Sequence, residues 1–175
     1  MKFVLALSIM SSLMLSACTA DQKPSVEVKA TDYAVTDVAS LQQKIDALNT
    51  QLASDYQQLK QQQNIAFSDQ SPLDVTNLST LHLHAVSATS LKPVKEEYCQ
   101  LMNAYFNELY RVGHFNLQWL DQIQLKHQSQ TALAPHFANA DAFYAFALTD
   151  YSSYKQAQQI MGFGCNLRAA LSPNA

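Results

Sequence analysis

His82 and His84 stand two residues apart in the alternating run Leu81-His82-Leu83-His84-Ala85-Val86. On an extended segment, successive side chains point to opposite faces, so both imidazoles would share one side, as two ligands of zinc or copper must. A complete site needs one or two more ligands, which His114, His127 or His136 would have to supply; the blander reading is histidines at the surface or core edge. Glu96 and Glu97 are a second pair of chemically able residues. Neighbours on a helix point about 100° apart, however, and a position near a helix start already suits two carboxylates. Ser, His and Asp all occur, but no G-x-S-x-G elbow assembles them. Cys99 would need a distant histidine to act as a nucleophile. No residue is therefore assigned a catalytic role, and no cofactor is implied. Only three glycines occur, which argues against phosphate-binding loops and tight β hairpins alike.

The aromatic residues are the strongest compositional signal in the body. Tyr98, Tyr105, Phe106, Tyr110, Trp119, Phe143, Tyr144, Phe146, Tyr151 and Tyr154 fall within one stretch, and most must fill a core. Tyrosine tolerates exposure of its polar tip and is enriched at interfaces. Tyr110, Tyr144 and Tyr151 are accordingly the candidates for a partner surface.

The elements that must position these residues are helical. From about Val38 to Asn64, Leu41, Ile45, Leu48, Leu52 and Leu59 recur at steps of four and three, with Tyr56 beside the seam and Asp55 in the slot between Leu52 and Leu59. Glutamines fill the outer face. Ser40 and Gln43 would form a capping box, or Thr36 or Asp37 would cap instead. The e and g positions lack the paired charges of a coiled coil, so packing against the rest of the chain is expected. Ile65 to Lys92 is the least regular stretch. Its alternating run suits a short strand, but no second strand exists to pair with it, and a connection with a helical turn near Asp74 to Leu81 is an equal alternative. Connections this long are often functional.

Helix resumes near Ser90 with Pro93 in its first turn and runs to Val112, where Gly113 would supply a left-handed stop. A third helix is expected from Phe115 to His127. A fourth would be capped by Asn139, run to Met161 and stop before Gly162 and Gly164, with a short turn over Asn166 to Leu171. The fold class is therefore all-α, a bundle of about four main helices without internal repeats.

The N-terminus carries a different kind of information. Lys2 precedes an apolar stretch from Phe3 to Ala17, the pattern of an export signal and too short for a permanent membrane span. It closes on Leu15-Ser16-Ala17-Cys18, which resembles the lipobox of bacterial lipoproteins at every position. The resemblance covers about a tenth of the chain. It implies that Met1 to Ala17 are removed and that Cys18 is lipidated and becomes the first residue. Three acyl chains, at about 0.8 kcal/mol per buried CH₂, would hold the protein on a bilayer. Thr19 stands where an Asp tends to retain enteric lipoproteins in the inner membrane, so the outer membrane is the expected location, facing either the periplasm or the outside.

With Cys18 assigned to lipid, Cys99 and Cys165 remain as an even pair in an oxidising compartment, and a disulfide between them is expected. Two buried free thiols are the alternative. The polar residues 18–36 would be a flexible tether and 37–175 the helical domain. Without Lys2, 10 basic residues stand against 14 acidic ones, or −4. Charges are few and scattered, which gives no basic footprint for nucleic acid. The expected function is a non-enzymatic, outer-membrane-anchored lipoprotein whose helical domain binds a protein partner in the envelope. An immunity or inhibitor protein blocking a toxin or hydrolase would be one form of this. The alternative is a lipoprotein that binds a small ligand or metal.

Overall fold

A computed structural model describes residues 28–125 and 132–171. The signal segment, the lipobox with Cys18, most of the expected tether and His127 lie outside the described residues. Two long helices form the frame. A first turn, α1 (Ala30–Tyr33), leads into α2 (Val38–Gln62), whose start is capped by Asp37: its Oδ1 accepts from the Ser40 N–H at 2.7 Å. The apolar period then does what it predicts, burying Leu41, Ile45, Leu52, Tyr56 and Leu59. Leu48 is only half-buried, and Tyr56 takes a central place in the core.

The chain returns through α3 (Lys92–His114), with Pro93 in its first turn. This helix lies antiparallel to α2: Gln63 reaches Glu97 at one end, Tyr105 donates to Asn49 in the middle, and Tyr33 donates to Glu108 toward the other end. Gly113 is not the expected left-handed stop but part of the helix. Its role is closeness, because a Cβ there would collide with the ring of Phe137.

Short pieces complete the bundle: α4 (Leu117–Leu120), α5 (Ala134–Phe137), α6 (Ala140–Thr149), α7 (Ser152–Met161) and α8 (Leu167–Ala170). Two corrections to the expected helices arise here. The third helix extends only over α4 before turning, and Asp121 beyond it accepts from the Leu133 and Ala134 N–H groups. The fourth is two helices broken at Asp150 and Tyr151. Asn139 does cap α6, accepting from the Ala142 N–H at 2.9 Å, and Gly162, at φ +59°, ends α7 in the left-handed conformation. Phe106, Phe137, Phe143, Phe146 and Tyr154 meet in the core between α3 and these pieces, with edge or tilted ring contacts.

The fold is all-α, with no β-strand among the described residues. Cys99 and Cys165 are joined in a disulfide with their Cα atoms 4.8 Å apart. Across a separation of 66 residues this stabilises the fold by about 4 kcal/mol through loss of unfolded-chain entropy. It fixes the segment between α7 and α8 onto α3. The end of the expected tether is also fastened down. Tyr33 stacks on Phe115, the Val35 N–H donates to Asn116 Oδ1 at 2.8 Å, and Lys44 Nζ donates to the carbonyls of Asp32 and Tyr33. The body thus begins near residue 30, and the chain enters it at the α2 N-terminal end.

Candidate functional site

The irregular connector between α2 and α3 settles on the body through buried polar side chains. Its alternating run is not a strand but lies largely in a 3₁₀ helix, Leu78–His84, followed by a lone antiparallel bridge between Phe67 and Val86. With about three residues per turn, His82 and His84 no longer share a side. His84 points to α2, where its Nδ1 accepts from Lys60 Nζ at 2.7 Å. His82 points to α7, where its backbone N–H donates to Ser153 Oγ at 2.7 Å and its Nδ1 lies 2.8 Å from the same oxygen. The Ser153 hydroxyl therefore accepts from the His82 backbone and shares a second hydrogen bond with its imidazole.

Of the remaining histidines, His114 bonds the Phe137 carbonyl through Nδ1, and His136 stacks on Phe146. The four described histidines of the expected metal site thus occupy separate surroundings, and His127 lies outside the described residues. Among the described residues, no three His, Cys, Asp or Glu side chains gather as they would around a metal ion.

Lys60 is the least expected member of the core. Only 1% exposed, it donates to the Ser71 carbonyl at 2.8 Å as well as to His84, and it lies near the faces of Tyr56 and Phe67. Burial pulls the Lys60 ammonium below the ordinary lysine range, against the pull of the Asp69 carboxylate. Burial likewise holds His84 below its usual value, helped by the neighbouring Lys60 charge and opposed by Asp69, whose carboxylate is 3.8 Å away. Lowering of the His84 value favours the neutral imidazole, which can accept from the lysine at Nδ1. Hydrogen bonds from Ser71 keep Asp69 below the usual carboxylate range. The Tyr56 hydroxyl closes the group by donating to the His84 carbonyl at 2.6 Å. Lys60, His84 and Tyr56 are buried, with Asp69 at the cluster's partly exposed edge, and their bonds pin the connector to α2. Neither Lys60 nor Ser153 stood out in the sequence: the first looked like one charge on a polar face, and the second like one more serine.

The three tyrosines expected at a partner surface do not form one patch. Tyr110 is half-buried between His114 and Phe143, Tyr144 lies under the Arg168 guanidinium, and the Tyr151 ring packs on Phe106 and Phe146. Glu96 pairs with Lys92 at the surface, 3.0 Å away, and Glu97 turns toward α2. The adjacent carboxylates therefore diverge.

Among the described residues, an open concave surface runs along the seam of α2 and α3. One hollow of about 360 Å³ sits between Leu59 and Leu101, and a second of about 260 Å³ between Leu52 and Tyr105. A third, of about 510 Å³, continues past Leu48 toward Tyr33. Leu48, Leu52, Leu59, Leu101 and Tyr105 supply an apolar floor, while Asp55, Glu97, Glu108 and several glutamines form the rim. Asp55, which the heptad spacing placed in the core slot, is half-buried at this rim and accepts from Gln51 at 2.7 Å.

No family model, curated protein or solved structure matches this chain.

Proposed function

We propose that the chain is a lipid-anchored, non-enzymatic protein of the bacterial envelope whose helical body binds another protein. Acylated Cys18 would hold it to the bilayer, and Thr19 favours the outer membrane. No described helix is long and apolar enough to cross a membrane, so the anchor rests on the lipobox. The observation that carries the binding half of the reading is the long open groove between α2 and α3. Its apolar floor and polar rim suit a macromolecular contact. The potentially reactive side chains support the same reading, since Lys60, His84 and Ser153 are buried and engaged with one another or with backbone groups. An immunity or inhibitor role is one form this binding would take.

The anchor is tested by replacing Cys18 with Ala and fractionating cells. The parent chain should sediment with outer membranes, and the variant should lose that association. An unaltered distribution would reject the lipid anchor. Binding is tested by affinity isolation of the lipidated chain from solubilised envelopes: one stoichiometric protein partner is expected, and recovery of the chain alone would reject the reading.

A further inference from the structure

We infer that the α2–α3 groove receives a basic amphipathic helix of the partner protein. This rests on the protein-binding reading above and specifies its site and chemistry. The two helices run antiparallel, and among the described residues nothing covers one side of their seam, the geometry into which a third helix packs. The floor runs from Leu48 to Leu59 along α2, eleven residues or about 17 Å at 1.5 Å per residue. That accommodates roughly three turns of a partner helix, with apolar anchors at i, i+3 or i+4, and i+7. Ala47 and Ala104, both exposed, stand beside the groove and permit close approach of a backbone.

Charge selects the occupant. The two hollows between Leu48 and Gln62 are lined by Asp55, Glu97 and Glu108 and by no Lys or Arg. Gln51 bonds Asp55 and Gln63 bonds Glu97 without neutralising them, while Glu108 accepts from Tyr33 and is paired with Arg111 at 3.9 Å. Lys44 stands toward the chain-entry end, held by the Asp32 and Tyr33 carbonyls, and Lys60, next to Leu59, is turned into the core. Lys or Arg flanking an apolar stripe would complement this rim, whereas an acidic helix or an anionic lipid surface would be repelled. The apolar surface also extends at the far end. Ile65, just beyond α2, is 96% exposed and Leu91, just before α3, is 75% exposed. The antiparallel pairing places both at the end opposite to the chain's entry.

The test is site-specific photocross-linking of the full lipidated chain in intact envelopes. Benzoylphenylalanine replaces Ala104 or Gln51 in the groove, and Ala145 or Gln156 on α6 and α7 as controls; the cross-linked peptides are sequenced. The groove positions should join a partner segment carrying Lys or Arg beside a helical apolar stripe. The yield should fall about fivefold or more in D55N/E97Q/E108Q, and also on raising salt with the native carboxylates in place. Adducts confined to the control positions would overturn the groove assignment while leaving protein binding intact. Groove adducts to an acidic segment, to lipid or to a second copy of this chain would overturn the stated occupant. The absence of protein adducts from all four positions would overturn both the inference and the reading beneath it.

Discussion

Between Val38 and Gln62 the chain supplies the core with a regular row of side chains, Leu41, Ile45, Leu52, Tyr56 and Leu59. Between Phe67 and Val86 it adds Phe67, Leu73, Leu78, Leu81 and Val86 to the core at irregular spacing and is held in addition at separate polar points: the Ser71 carbonyl and His84 by Lys60, the His84 carbonyl by Tyr56, and His82 by Ser153. The first region is redundant, since each apolar contact resembles the next. In the second, each anchor is particular and buried, and removing one partner leaves the other unsatisfied. The regular region also keeps a face open to solvent, while the irregular one turns its chemistry inward. Reactive-looking residues thus form the scaffold, and ordinary-looking helix faces line the open groove.

The largest break in this arrangement should come from the bond that joins α3 to the segment between α7 and α8. Replacing Cys99 and Cys165 by Ala should cost about 4 kcal/mol, read from the urea midpoint of the oxidised parent against the variant. Next, Leu52→Ala in the regular seam should cost about 2–4 kcal/mol and lower the midpoint of one cooperative transition. Lys60→Met should cost less, about 1–2 kcal/mol. It leaves Ser71 O and His84 Nδ1 without a donor but relieves the burial of a charge. Its distinctive signature is local: limited proteolysis should cut the connector sooner while the α2–α3 pair persists. Equal proteolytic patterns for Leu52→Ala and Lys60→Met would erase the proposed contrast.

Acid should loosen the same polar region. His84 has a folded-state pKa below its unfolded value of about 6.5, so the unfolded chain binds more protons in the interval between them. Its contribution is present in full above about pH 6.5 and is lost as pH falls through the folded value. Asp69, also depressed, acts in the same direction at lower pH. The urea midpoint should therefore drop between pH 7.5 and 5.5, and His84→Asn should flatten that slope. The smallest effect should be Asn139→Ala, about 1 kcal/mol from loss of the α6 cap, measurable by thermal unfolding.

The contrast also explains what the sequence made legible. The course of α2, the start of α3, the cap at Asn139 and the Cys99–Cys165 pair follow from period, capping chemistry and cysteine count, whereas Asp37 caps α2 in place of the Ser40–Gln43 box and α3 runs on through Gly113. The break between α6 and α7 carries no Gly or Pro. There the Thr149 hydroxyl lies within hydrogen-bond reach of the Ala145 and Phe146 carbonyls and of the Asp150 carboxylate, which share its one proton, and local side-chain bonding of this kind competes with helix continuation. His82 and His84 misled because period two signals a strand only when a second strand exists. Here Lys60 and Ser153, distant in sequence, supplied the partners that a strand would have needed. Asp55, Glu97 and Glu108 could not be grouped from sequence, because their common groove depends on which face of α3 meets α2.

The division between a working seam and an inward scaffold is tested most directly by carboxylate footprinting. The lipidated chain would be labelled with carbodiimide and glycine ethyl ester in intact envelopes and again after purification. Asp55, Glu97 and Glu108 should label less in the envelope than in the purified chain, while Asp141 and Asp150, on and beyond α6, should label equally in both. Equal labelling of the three groove carboxylates, or protection confined to Asp141 and Asp150, would contradict the account.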